Sequence, residues 1–135
     1  MITVYSLLLE RCGLSHREAA EFHNVRLDTV KSWSSGRNPA PAGALAELRA
    51  LYARIEKAAN ELIRLMKKHK AAEFEIGLAS DDYEARQPPL NWPCVGSHAA
   101  AIGLAAARTD KKIIVVPRGS TAASAAAADV HDREV

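Results

Sequence analysis

The sequence predicts a mainly α protein with a small α+β part, and three patterns carry that reading. Residues 14–37, LSHREAAEFHNVRLDTVKSWSSGR, set two short amphipathic stretches on either side of a turn residue. From about Ala42 to His69 apolar residues recur at intervals of three and four, the period of one long helix. Beyond it, EFEIGLA at 73–79 and IIVV at 113–116 read as strands, with two helical segments between them. The expected layout is a helix-turn-helix domain over 1–41, a long linking helix over 42–70, a strand-helix-helix-strand unit over 71–118, and an Ala- and Ser-rich flexible tail over 119–135.

A first helix is expected over residues 3–12, with Thr3 as its cap, Val4, Leu7, Leu8 and Cys12 along its inner side, and Gly13 stopping it. Ser15 caps the next helix, and Glu18, three residues on, bonds back to the cap residue. Ala19 and Ala20 fall where two helices must cross closely; a larger side chain at Ala20 would push the second helix away. Asn24 occupies the turn, where a left-handed backbone is required and asparagine is among the few residues that tolerate it. Val25 points inward, and Val30 and Trp33 face the first helix of the pair, leaving polar residues outside. Gly36 ends the second helix, and the run Asn38-Pro39-Ala40-Pro41 forbids its continuation.

In the long helix Leu45, Leu48, Tyr52, Ile55, Ala59, Leu62 and Met66 form a heptad seam, widened by Leu51, Ala58 and Leu65. So broad a stripe favours a globular contact over an extended coiled coil, against a second domain, a partner chain or both. Lys67, Lys68, His69 and Lys70 complement the negative end of the helix dipole. In the first strand Phe74, Ile76 and Leu78 share one side; IIVV is apolar on both faces. Asp81 or Asp82 caps a short helix that Pro88 and Pro89 interrupt, and Ser97 caps another running to about Arg108. A unit this small buries little core alone, so it is expected to pack on the long helix and against a second copy. Left on an open edge, IIVV invites aggregation.

A chain of 135 residues holds one ordinary domain or two small ones, which excludes a large enzyme. The net charge of +2 hides an asymmetry: residues 1–70 carry 12 Lys and Arg against 7 Asp and Glu, residues 71–135 carry 6 against 9. The positive potential therefore lies on the half with the helix pair. Cys12 and Cys94 stand far apart without nearby histidines, so no zinc site is expected, and Cys12 is expected buried at the end of the first helix. No apolar run approaches the roughly eighteen residues of a membrane span and no leader pattern opens the chain, so a cytoplasmic protein is expected. Ser97, His98 and Asp110 do not make a hydrolase, because adjacent residues on a helix point apart and no glycine-flanked elbow surrounds Ser97. Asp81, Asp82 and Glu84 lack the spacing of a calcium loop. Trp92, among prolines, reads as a wedge under its domain. No catalytic residue, metal or cofactor is expected.

With Ala20, Asn24, Val25, Val30, Trp33 and Gly36 at packing and turn positions, residues 14–37 resemble the lambda-repressor-like (XRE) helix-turn-helix family. Two positions depart from that pattern: Asn24 stands where the family usually has glycine, and Arg26 where a small hydroxyl residue usually caps the recognition helix. The resemblance implies a recognition helix starting near Leu27 that presents Leu27, Asp28 and Ser32 to base edges, flanked by Arg26, Thr29 and Lys31. In that role Leu27 meets a thymine methyl, Asp28 accepts from a cytosine amino group, and Arg26 reaches guanine or a phosphate. His16, Arg17, Arg37 and Asn38 are placed for phosphate oxygens. Together with Asn91-Trp92-Pro93 in the back unit, the layout over about 1–118 also resembles anti-CRISPR-associated autorepressors and related prophage-type regulators, in which the second domain dimerises. The expected protein is thus a homodimeric repressor that binds double-stranded DNA at an inverted repeat and regulates its own promoter. Two alternatives remain open: an antitoxin or other protein-interaction module, and a basic surface that takes structured RNA.

Overall fold

The computed structural model describes residues 2–119. The tail expected over 119–135 lies, from residue 120 on, outside the described residues. The elements run α1 (Val4–Arg11), α2 (His16–His23), α3 (Leu27–Ser35), α4 (Ala42–Lys68), β1 (Glu73–Leu78), α5 (Asp82–Arg86), α6 (Val95–Arg108) and β2 (Lys112–Pro117). The chain is therefore mainly helical with a small sheet. It divides into two compact units within α4, the first ending at Arg54 and the second beginning at Ile55.

Local chemistry sets the helix ends of the first unit. Thr3 and Ser6 form a reciprocal capping box on α1, and Ser15 and Glu18 form another on α2. Asn24 closes α2 in the left-handed region at φ 58°, and Gly36 closes α3 at φ 82°. Arg26 precedes α3 without donating or accepting a side-chain cap bond, so this helix start lacks the usual hydroxyl cap.

The inner face of α1 differs from the expectation. Tyr5, Leu9 and Cys12 are buried, whereas Val4 and Leu7 are 60% and 52% exposed and Leu8 is half-buried. The stretch VYSLLL is apolar nearly all round, so local pattern does not choose a face. The choice follows from what Tyr5 meets: its ring packs at 5.5 Å from Trp33 and 5.8 Å from His23. Ala19, Ala20 and Val30 complete this core, and Cys12 Sγ donates to the Leu48 carbonyl at 3.3 Å. Along α4, Leu48, Ile55, Ala59 and Met66 of the heptad seam are buried, but Leu45, Tyr52 and Leu62 are half-buried, while Ala44, Leu51 and Leu65 are buried beside them. The buried line is displaced from a strict seam by about a residue.

In the second unit β1 and β2 pair in parallel, with Glu73 opposite Lys112 and Leu78 opposite Pro117. A parallel pair needs a crossover, and α5 and α6 supply it. Asp81 is the residue that caps α5, accepting from the Glu84 amide at 2.8 Å. Asp82 instead accepts from the Val95 amide at 2.9 Å, satisfying the start of α6 from outside that helix. Ser97 is consequently not a cap. It lies fully buried within the first turn of α6, its Oγ 3.6 Å from Cys94 Sγ. Trp92 is buried with its ring stacked on His98, whose Nδ1 accepts from the Ala79 amide at 3.2 Å. Among the described residues no helix is long and apolar enough to cross a membrane.

Candidate nucleic-acid interface

Helix α3 has two chemically distinct sides. Successive residues step about 100° around a helix, which puts Leu27, Val30 and Ser34 on one line and Asp28, Ser32 and Ser35 on another about a third of a turn away, with Lys31 between them. Val30 is fully buried and Ser34 is 8% exposed, whereas Asp28, Lys31 and Ser35 are exposed and Ser32 is half-buried. Leu27, expected at base edges, lies half-buried on the inner line, and Thr29 is half-buried as well. Ser35 joins the outward residues, a position the sequence reading did not single out.

The inner side is held by a cluster that no local pattern predicts. The His23 side chain is 1% exposed, with Nδ1 3.1 Å from Glu47 Oε1 and Nε2 3.0 Å from the Tyr5 hydroxyl. An ionised carboxylate only accepts, so Nδ1 carries a hydrogen toward Glu47. Trp33, half-buried rather than fully enclosed, meets His23 edge-on at 5.7 Å. Thr3 Oγ1 donates to the Ser34 carbonyl at 3.0 Å, and His16 Nε2 lies 3.1 Å from Ser34 Oγ. The cap residue of α1 and helix α2 therefore make polar contacts to α3 directly, while Glu47 of α4 bonds His23 of α2. Burial, and then the neighbouring Glu47 carboxylate, push the Tyr5 phenol up to about 12. Burial likewise pushes the Cys12 thiol up to about 11.

On the outer side Asn38 Nδ2 donates to Ser32 Oγ at 2.7 Å, and the Asn38 amide donates to the Ser32 carbonyl at 3.4 Å. With one lone pair of Ser32 occupied, its own hydroxyl hydrogen is left to donate, the polarity that suits a purine N7 or a phosphate oxygen. Arg17, Arg26, Lys31 and Arg37 are all exposed. Of the nearby carboxylates, Glu18 accepts from the Ser15 amide at 2.9 Å and Glu47 faces His23, so Asp28 is the acidic group on the outward line of α3. The structure thus joins Ser32 with Asn38 and sets His16 on Ser34. Among the described residues, no group of His, Cys, Asp and Glu side chains comes together to hold a metal ion. No protein-family model matches the chain, and no curated protein matches it.

Proposed function

We propose that the chain is a sequence-specific DNA-binding regulator, a homodimeric repressor acting at an inverted repeat that overlaps its own promoter. The observation that carries the reading is α3 itself. It is a short helix, set across α2 by a left-handed Asn24, with an apolar inner line and an outward face of Asp28, Lys31, Ser32 and Ser35 bracketed by Arg26 and Arg37. A helix of this width fits the major groove, and the bracketing cations suit phosphates on either side. One such helix reads only a few base pairs. Two half-sites about one helical turn apart roughly square the discrimination, which is the physical motive for a dimer. Repression then follows from excluding polymerase at the occupied promoter.

A mobility-shift titration of the full chain tests this, with the duplex upstream of its own gene, a scrambled duplex and a structured RNA as competitors. The upstream duplex is expected to shift at sub-micromolar protein, with affinity falling steeply as salt rises. Equal affinity for the scrambled duplex, or preference for the RNA, overturns the proposal.

A further inference from the structure

Strand β2 offers an unfinished hydrogen-bonding edge. It pairs with β1 on one side and, among the described residues, with no other strand. The Lys112 amide donates to the Ala72 carbonyl at 3.0 Å and the Arg118 amide to the Leu78 carbonyl at 2.9 Å. Backbone groups alternate along a strand, so residues 112, 114, 116 and 118 face β1, while Ile113 and Val115 turn their N–H and C=O groups the other way. Pro117 has no N–H to offer. The side chains are equally unfinished: Val115 is 50% exposed, and Ile113, Ile114 and Val116 are only half-buried. Val115, Val116 and Pro117 also line, with Leu78, Ala79, Ser80 and Val95, an open and largely apolar depression of about 440 Å³. Parallel sheets are normally covered on both faces, and a two-stranded sheet is marginal alone.

We propose that a second copy of this chain pairs along this edge, β2 against β2, joining the two sheets into one of four strands. The proposal rests on the homodimer reading above and names its seam. A two-fold axis requires antiparallel pairing, because a parallel ladder treats its two strands differently. Outward-facing residues must oppose outward-facing residues, which leaves few registers. With Val115 opposite Val115, Ile113 meets a Pro117 that cannot donate, and Lys112 meets Arg118, a like-charge pair. With Ile113 opposite Ile113, Val115 meets Lys111, outside the strand. With Ile114 opposite Ile114, Ile113 and Val115 exchange both bonds with the second copy's Val115 and Ile113. Lys112 then faces Val116, so no like charges oppose each other within the strands. Only this last register pairs every outward N–H and every outward C=O of Ile113 and Val115 within the strand; with Val115 opposite Val115 the Ile113 N–H still donates to the Pro117 carbonyl, but the Ile113 C=O finds no donor. The edge is self-complementary in hydrogen bonding and in charge, which is why the occupant is a second copy.

Proline at 115 tests the ladder, since the Val115 N–H points away from β1 and proline is tolerated on such an edge. In sedimentation of the full chain, Val115→Pro is expected to weaken self-association about a hundredfold, with its circular dichroism unchanged. Ile114→Cys is expected to give a disulfide-linked dimer on mild oxidation; Cys12 and Cys94 are buried and do not compete. If Val115→Pro fails to fold, the Ile114→Cys crosslink decides. A dimer that survives Val115→Pro overturns the seam, as does one broken instead by Leu7→Lys on the exposed face of α1, or the lack of a crosslink in Ile114→Cys. A wild-type chain that stays monomeric overturns both seam and dimer, whereas DNA binding is read separately in the mobility shift.

Discussion

Helix α3 and strand β2 each leave about half of their side chains outside, and they leave opposite chemistries there. The outward face of α3 is Asp28, Lys31, Ser32 and Ser35, while β2 exposes or half-exposes Ile113, Ile114, Val115 and Val116. A polar helix face has its backbone satisfied internally and offers only side chains, which suits a wet, charged ligand read through its edges. An apolar strand with an open ladder offers backbone and hydrocarbon together, which suits another strand. One chain therefore carries two different kinds of unfinished surface. On the proposals above they take two different partners.

The contrast is broken most severely at β2. Val115→Pro is expected to cost the upstream duplex up to about a hundredfold in affinity, the same factor by which it weakens the pairing that couples the two half-sites, while affinity for an isolated half-site is unchanged. Titrating both duplexes by fluorescence anisotropy checks this. If the two fall together, β2 and α3 are not separable surfaces.

The support of α3 can be removed without touching its outer face. His23→Ala takes away the group between Tyr5 and Glu47; water can replace its bond to the exposed Glu47, but the buried Tyr5 hydroxyl is left short of a partner, an expected loss of about 1–3 kcal/mol in denaturant unfolding. Base preference should persist in the protein that remains folded. Within the outer face, Arg37→Ala is expected to weaken all duplexes alike and to reduce the salt slope by about one. Ser32→Ala is expected to change preference at one base by about 1 kcal/mol. A panel of single-base variants separates the two behaviours.

A further effect is confined to high pH. The Tyr5 phenol ordinarily ionises at 10.0 and does so at about 12 in the folded chain. Its folded value is raised, so its contribution is complete below pH 10 and disappears as pH climbs toward 12. The buried Cys12 thiol acts in the same direction, from its ordinary 9.0 up to about 11. Melting temperature is expected to fall across this range, and Tyr5→Phe should flatten the upper part of the fall.

What the sequence made legible is what is local. Thr3, the Ser15–Glu18 pair, Asn24 and Gly36 act within a turn of their own position, and each lies where its chemistry demands. The misreadings are contacts made at a distance. Tyr5 replaced Val4 and Leu7 on the inner side of α1 because His23 and Trp33 meet it there. Ser97 lost its capping role to Asp82, which belongs to a different helix. The strand character of IIVV was plain from its β-branched run, but whether its second edge is paired among the described residues depends on distant elements, and no residue in the run records that.

Selection of bound duplexes from a random pool tests both surfaces at once. The full chain is expected to enrich a sequence made of two inverted half-sites with centres about 10 base pairs, one helical turn, apart. Enrichment of a single unrepeated site would contradict the dimer, and no enrichment over the starting pool would contradict α3 as a reader of DNA.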